Sequence, residues 1–105
     1  MEEKHVVIGA AGALGSAIVA FLASKGKSVR AVVRDLDRAR RVLPPSADIA
    51  IGDGSHAESM RLVCRNATVI YHCVNVPFED WDSVMPAVTD NILAGAREAQ
   101  ARLVF

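Results

Sequence analysis

Residues 9–15 read Gly-Ala-Ala-Gly-Ala-Leu-Gly, three glycines in seven residues, directly after the apolar run Val6-Val7-Ile8. No other stretch of the chain restricts its fold as strongly. A backbone that leaves a strand through this much glycine and enters a helix without a polar turn needs each glycine for a different reason. Gly9 permits the sharp exit from the strand, Gly12 keeps a Cβ out of a space that something must approach, and Gly15 lets the helix pack close to the sheet. Leu14, Ile18, Phe21 and Leu22 then recur at helical spacing, a pattern expected to turn them toward a core, and Gly26 can end the helix.

The same alternation continues along the chain. Strands are expected over 5–9, 28–34, 47–53, 67–74 and 101–105, and helices over 13–26, 35–45, 55–66 and 80–100. Asp35 is the expected cap of the second helix, with Pro44 and Pro45 as its stop. Ser55 with Glu58 three residues on reads as a capping box for the third. Pro86 is tolerable in the fourth only because it falls in the first turns. Strands that are continuous Val/Ile/Ala runs are those covered by helices on both faces. The expectation is therefore an α/β fold of parallel βαβ units, a doubly wound Rossmann sheet of five strands ordered 3-2-1-4-5, with 1–105 as one domain. In such sheets ligands bind at the carboxyl ends of the strands, where the order reverses between strands 1 and 4, and the glycines sit there.

A strand, a G-x-x-G-x-x-G turn, an amphipathic helix and a second strand are together the context of a dinucleotide site. The free N–H groups of Ala13, Leu14 and their neighbours at the helix start, with the helix dipole, would face a pyrophosphate. Gly26-Lys27-Ser28 does not make a P-loop, because the residue five before Gly26 is Phe21 rather than glycine.

At this point "VVIGAAGALGSAIVAFLASKGKSVRAVVRD" resembles the start of the extended and atypical short-chain dehydrogenase/reductase superfamily, which includes NAD-dependent epimerase/dehydratases and isoflavone-reductase-like proteins. "IAIGDGSHAESMRLVCRNATVIYHCVN" and the Pro77-Phe78-x-x-Trp81 stretch are similar to that family's later elements. The resemblance covers nearly all of the chain but only the first half or less of a complete member.

The resemblance implies an acidic residue at the end of the second strand in NAD-preferring members. Here that position is Val33, followed by Arg34. Valine cannot accept from a ribose hydroxyl, whereas arginine can pair with a 2′-phosphate, so NADP is favoured over NAD. Arg38 either assists or is a surface charge. The resemblance also places Asp53 by the adenine amino group, and Val74 and Asn75 along the ribose and pyrophosphate.

Family members that carry out redox chemistry use Tyr-x-x-x-Lys, the tyrosine as general acid/base. The one tyrosine, Tyr71, is followed four residues on by Asn75, and no lysine occurs after Lys27. No catalytic residue is assigned. Tyr71 and His72 are read as packing, on opposite faces of their strand. Three readings stay open: the cofactor-binding half of an epimerase- or reductase-like enzyme, a stand-alone NADP-binding sensor or interaction module, and a structural domain without ligand. The substrate is not named by anything in the sequence.

Composition excludes other classes. Twelve basic residues balance twelve acidic ones, so no overall field draws the chain to nucleic acid or membrane. No apolar run is long enough to span a bilayer. The acidic start Met-Glu-Glu-Lys-His is not the pattern of a signal peptide. Cys64 and Cys73 have no metal-ligand spacing and read as free buried thiols of a cytoplasmic protein. With two helices on each face, strands 4 and 5 would lack cover on the side of the first helix. A homo-oligomer through that open side is therefore expected.

Overall fold

The structure, a computed structural model, describes residues 3–76 and 78–105. Met1, Glu2 and Pro77 lie outside them, and with Pro77 part of the Pro-aromatic-x-x-Trp stretch. The elements in chain order are β1 (Lys4–Ile8), α1 (Ala13–Ser24), β2 (Ser28–Val33), α2 (Leu36–Val42), β3 (Asp48–Ile51), α3 (Ala57–Val63) and β4 (Val69–His72). A 3₁₀ turn (Phe78–Asp80), α4 (Trp81–Ala99) and β5 (Arg102–Val104) complete them. All five strands pair in parallel in the order β3-β2-β1-β4-β5. The expected doubly wound topology is present, and most elements end a few residues inside their expected limits.

Strand alternation sorts the core into two layers. Val6, Ile8, Val32 and Ile70 face α3 and α4, packing on Met60, Val63, Cys64, Val88, Ile92 and Ala96. Val7, Val29, Ala31 and Val33 face α1 and α2, packing on Val19, Leu22 and Ala39. One long-range tie fastens β2 to the end of α3: the Arg30 guanidinium donates to the carbonyls of Val63 (2.7 Å) and Arg65 (2.8 Å). These are helix-end acceptors that the helix itself leaves unpaired.

Two sequence expectations are corrected. In α1 the buried stripe is Gly15, Val19 and Leu22, while Leu14 and Phe21 are 64% and 61% exposed. The cause is Gly15. Its Cα sits so tightly against the Gly9 carbonyl and Ala10 that a Cβ would collide with both, which fixes the roll of the helix and turns the neighbouring stripe outward. Gly15 thus packs on the glycine turn rather than on the sheet. In α3 the N-cap is His56, not Ser55, and no side chain caps it. Ser55 instead donates its N–H (3.0 Å) and its hydroxyl (2.8 Å) to Asp53 Oδ1. Glu58 pairs with Arg61 rather than closing a capping box.

The other caps form as read. Asp35 accepts from the N–H groups of Asp37 (3.0 Å) and Arg38 (3.3 Å). Leu43, before Pro44, is extended (ψ 149°), as a residue preceding proline favours. α4 carries Pro86 in its second turn and ends on a left-handed Gln100 (φ 58°), with Ala101 N–H returning to Ala96 O at 2.9 Å. Of the two free thiols, Cys64 is buried and Cys73 only half-buried. Cys73 lies just past β4, on the α1 side of the sheet, where cover is thin.

Candidate functional site

The carboxyl ends of β1, β2, β3 and β4 surround a cavity of about 840 Å³. Its floor is the glycine turn. Gly9 has φ +85°, and a Cβ there would meet Cys73 O at 2.5 Å and Val74 N at 2.8 Å, so only glycine seats β1 against β4 at this point. Gly12 is different: a Cβ there would meet only the Gly9 carbonyl, at 3.5 Å, and otherwise stand in open space. Gly12 caps α1 without a side-chain bond, and no acidic residue occupies the first turn. The first helical bond runs from Ser16 N–H to Gly12 O at 2.9 Å. The N–H groups of Ala13, Leu14 and Gly15 therefore precede any helical acceptor, and they stand at the positive end of the helix dipole.

The cavity wall brings together Gly9, Gly12, Ala13, Arg34, Asp53, Val74 and Asn75 from the residues singled out in the sequence. Leu14 and Gly15 do not line it. Leu14 follows Ala13 in the first turn of α1 with its side chain exposed, and Gly15 packs against the Gly9 carbonyl. Sequence reasoning left out Asp35, Gly52, Gly54, Val84 and Val88 as wall residues. Gly54 belongs there because a side chain would strike Val88 at 2.9 Å, and Asn91 donates to its carbonyl at 2.9 Å. Arg38, left open above, is in the wall beside Arg34.

Arg34 is exposed, directly after the buried Val33. Asp53 is held by its own turn. Its backbone N–H donates to Ser59 Oγ at 3.0 Å, and His56 Nδ1 lies 3.3 Å from Oδ2. Hydrogen bonds from the Ser55 backbone and hydroxyl, with smaller contributions from His56 and Arg34, hold its carboxyl below the usual value. Asp53 is therefore an ionised acceptor near neutral pH. On the rim, Trp81 Nε1 donates to Val76 O at 3.1 Å, fastening the start of α4 to the segment after β4.

Tyr71 is not part of this cavity. Its hydroxyl lies 3.0 Å from His5 Nδ1, the two rings stack at 5.9 Å, and burial raises its pKa. His72 faces the other side, with Nε2 3.0 Å from Thr89 Oγ1. No group of three or more His, Cys, Asp or Glu side chains could hold a metal among the described residues. No helix there is long and apolar enough to cross a membrane.

A parallel sheet ordered 3-2-1-4-5, a glycine turn at its reversal point and a helix amide terminus opening on the cavity define a dinucleotide-binding Rossmann domain. The chain belongs to the NAD(P)H-binding family, whose sequence model matches residues 9–105. A search of curated proteins finds no significant match. Among solved structures, a candidate epimerase of Bacteroides thetaiotaomicron is 26% identical with a TM-score of 0.79, covering 96% of this chain and 44% of that one. Triphenylmethane reductase of Citrobacter sp., solved with NADP(H), is 20% identical with a TM-score of 0.79, over 92% of this chain and 34% of that one. The Bordetella bronchiseptica enzyme WbmH, solved with NAD+, is 17% identical with a TM-score of 0.79, over 100% and 38%. The chain thus spans less than half the length of each. It is an NAD(P)-binding domain resembling the Rossmann domains of epimerase- and reductase-type proteins.

Proposed function

We propose that this domain binds NADP(H) in preference to NAD(H). The free amides of Ala13 and Leu14 receive the pyrophosphate, with Gly12 leaving the space for it open and Gly9 and Gly15 shaping the turn. Arg34 pairs with the 2′-phosphate, and Arg38 adds charge beside it. Asp53 accepts from the adenine amino group, and Val74 and Asn75 border the ribose and pyrophosphate. The observation that carries the preference is the step from Val33, buried and apolar, to Arg34, exposed in the cavity wall. A ribose 2′-hydroxyl finds no carboxylate at Val33, and a 2′-phosphate finds a guanidinium one residue on. Titration calorimetry with NADPH and NADH tests it. Tighter NADPH binding supports the reading, and equal or weaker binding overturns it.

The parent activity we propose is that of an epimerase/dehydratase- or reductase-like protein, within the short-chain dehydrogenase/reductase group and in the cytoplasm. Residues 1–105 serve as its dinucleotide-binding unit. One observation favours a second reading, a non-catalytic NADP-binding module. The single tyrosine spends its hydroxyl on His5, outside the cavity, and no lysine follows it at the required spacing. We also propose that copies associate through the open side of β4 and β5. Strand register places Val104 beside Tyr71 there, and Val104 is exposed.

A further inference from the structure

We propose that His72 is a positioning residue for dinucleotide binding: its Nδ1 holds the Val74 amide, and so keeps the turn after β4 seated on the glycine loop. The Val74 N–H points to His72 Nδ1 at 3.3 Å, and Thr89 Oγ1 lies 3.0 Å from Nε2 on the opposite edge of the ring. Nδ1 can accept only with its lone pair free, so the proton is on Nε2, which donates to the threonine hydroxyl. The ring thus bridges α4 to the end of β4. The peptide it holds, Cys73–Val74, is the one against which Gly9 is packed without room for a Cβ. Val74 and Asn75 on that turn and Gly9 and Gly12 opposite are all walls of the dinucleotide cavity.

A second proton on Nδ1 would replace the lone pair with an N–H facing the Val74 N–H. The bond would then be lost and the turn released. The surroundings of the ring favour the neutral form. On α4 its neighbour is Thr89, with Asp90 next along the helix turned to solvent. On β1 it is in register with Ile8. On the β5 side the Phe105 ring lies 5.8 Å away, while Arg102 is in register with Val69, on the other face of the sheet. Burial is the cause that holds His72 below the ordinary imidazole value. The native state with an intact turn therefore binds fewer protons than the unfolded chain, and the contribution of His72 is lost as pH falls.

The inference rests on the dinucleotide site described above. Its test measures NADP+ affinity of the wild type, His72→Leu and His72→Asn from pH 8 downward, beside ¹⁵N NMR of the wild-type imidazole without ligand. Asparagine presents Oδ1 where Nδ1 stands, so it can accept the amide two residues on but cannot titrate. His72→Leu is expected to weaken binding about three- to tenfold at neutral pH, the value of one neutral hydrogen bond, and His72→Asn to recover most of that. The wild-type to His72→Asn affinity ratio cancels the titration of the cofactor's own phosphate. It is expected to fall by about three- to tenfold in total as pH drops through the His72 pKa, the loss of that same hydrogen bond, and then to level off. NMR is expected to show a neutral ring protonated on Nε2. A ring protonated on Nδ1, a ratio that stays flat with pH, or a His72→Asn variant no better than His72→Leu overturns the role. Should His72→Leu not fold, the tautomer and the His72→Asn ratio decide. A wild type that binds no dinucleotide overturns the site itself and this role with it, whereas intact binding with the wrong tautomer overturns only the role.

Discussion

The α-carbon of Gly9 is pressed against the Cys73 carbonyl so closely that a Cβ would come within 2.5 Å of its oxygen, whereas at Gly12 an added Cβ meets only open space and the Gly9 carbonyl. Two glycines three residues apart therefore answer to different demands. Gly9→Ala meets both a positive φ and a backbone collision, and is expected to cost about 1–3 kcal/mol of stability. In a domain of this size that lowers Tm by roughly 4–8 °C per kcal/mol. Gly12→Val keeps an ordinary backbone (φ −76°, ψ 173°) and is expected to melt near the wild type while losing NAD(P) binding, because its side chain fills the phosphate space. Thermal melts beside calorimetry check both. A Gly12→Val chain that binds normally would remove the phosphate-loop assignment.

The proposed cofactor preference rests on Arg34. Arg34→Ala leaves a 2′-phosphate without its charged partner, a loss of about 1.5–3 kcal/mol for a charge-assisted hydrogen bond. NADPH affinity is expected to drop about ten- to hundredfold, toward that for NADH, and NADH affinity to change little. Equal losses for the two cofactors would show that Arg34 shapes the pocket without reading the phosphate.

How much of this was legible in the sequence depends on the distance over which each feature is determined. Gly9, Gly12 and Gly15 could be read because strand, turn and helix are contiguous. The sheet order followed from right-handed crossovers between strands that are wholly apolar. Asp35 could be read as a cap because its partners are two and three residues away. The roll of α1 could not, since Leu14, Ile18 and Phe21 fit helical spacing as well as Gly15, Val19 and Leu22 do. What turns Leu14 and Phe21 outward is the contact of Gly15 with a carbonyl six residues earlier. Ser55 was misplaced for a related reason. As a cap, Ser55 would accept from a first-turn N–H through its hydroxyl and give its own N–H to Glu58, but Asp53 offers a carboxylate two residues back that takes both its N–H and its hydroxyl proton, so the serine joins that turn instead of capping α3. Arg30 on the α3 carbonyls and His72 between Thr89 and Val74 gave no local signal, because their partners come from other elements.

The side of the sheet facing α1 is closed over β1 and β2 but not over β4 and β5, whose helix contacts come from α4 on the other face. Val104, in register with Tyr71, is an exposed apolar group available to a second copy there. Static light scattering at micromolar concentration is expected to give a mass above one chain, and Val104→Lys to shift it toward the monomer, since a charge on the buried edge of a contact is costly to desolvate. A wild-type mass of one chain would count against association through this side.

Dinucleotide binding by these 105 residues is expected without hydride transfer or epimerisation. Transfer requires a positioned acid or base at the reacting oxygen, a contribution of about 10²–10⁴-fold. The cavity wall offers Asp53, already engaged by Ser55 and His56, and Asp35, which caps α2. Both carboxylates are thus committed to hydrogen bonds within their own turns. Tyr71, the one tyrosine, is shifted upward by burial and hydrogen-bonded to His5, which makes it a poor proton donor or acceptor at pH 7. Fluorescence should therefore report NADPH binding with no substrate-dependent loss of the reduced cofactor across a panel of carbonyl compounds. Turnover abolished by Tyr71→Phe would identify that hydroxyl as an acid reached by a rearrangement of the His5 contact, and would overturn the separation of binding from chemistry drawn from its position.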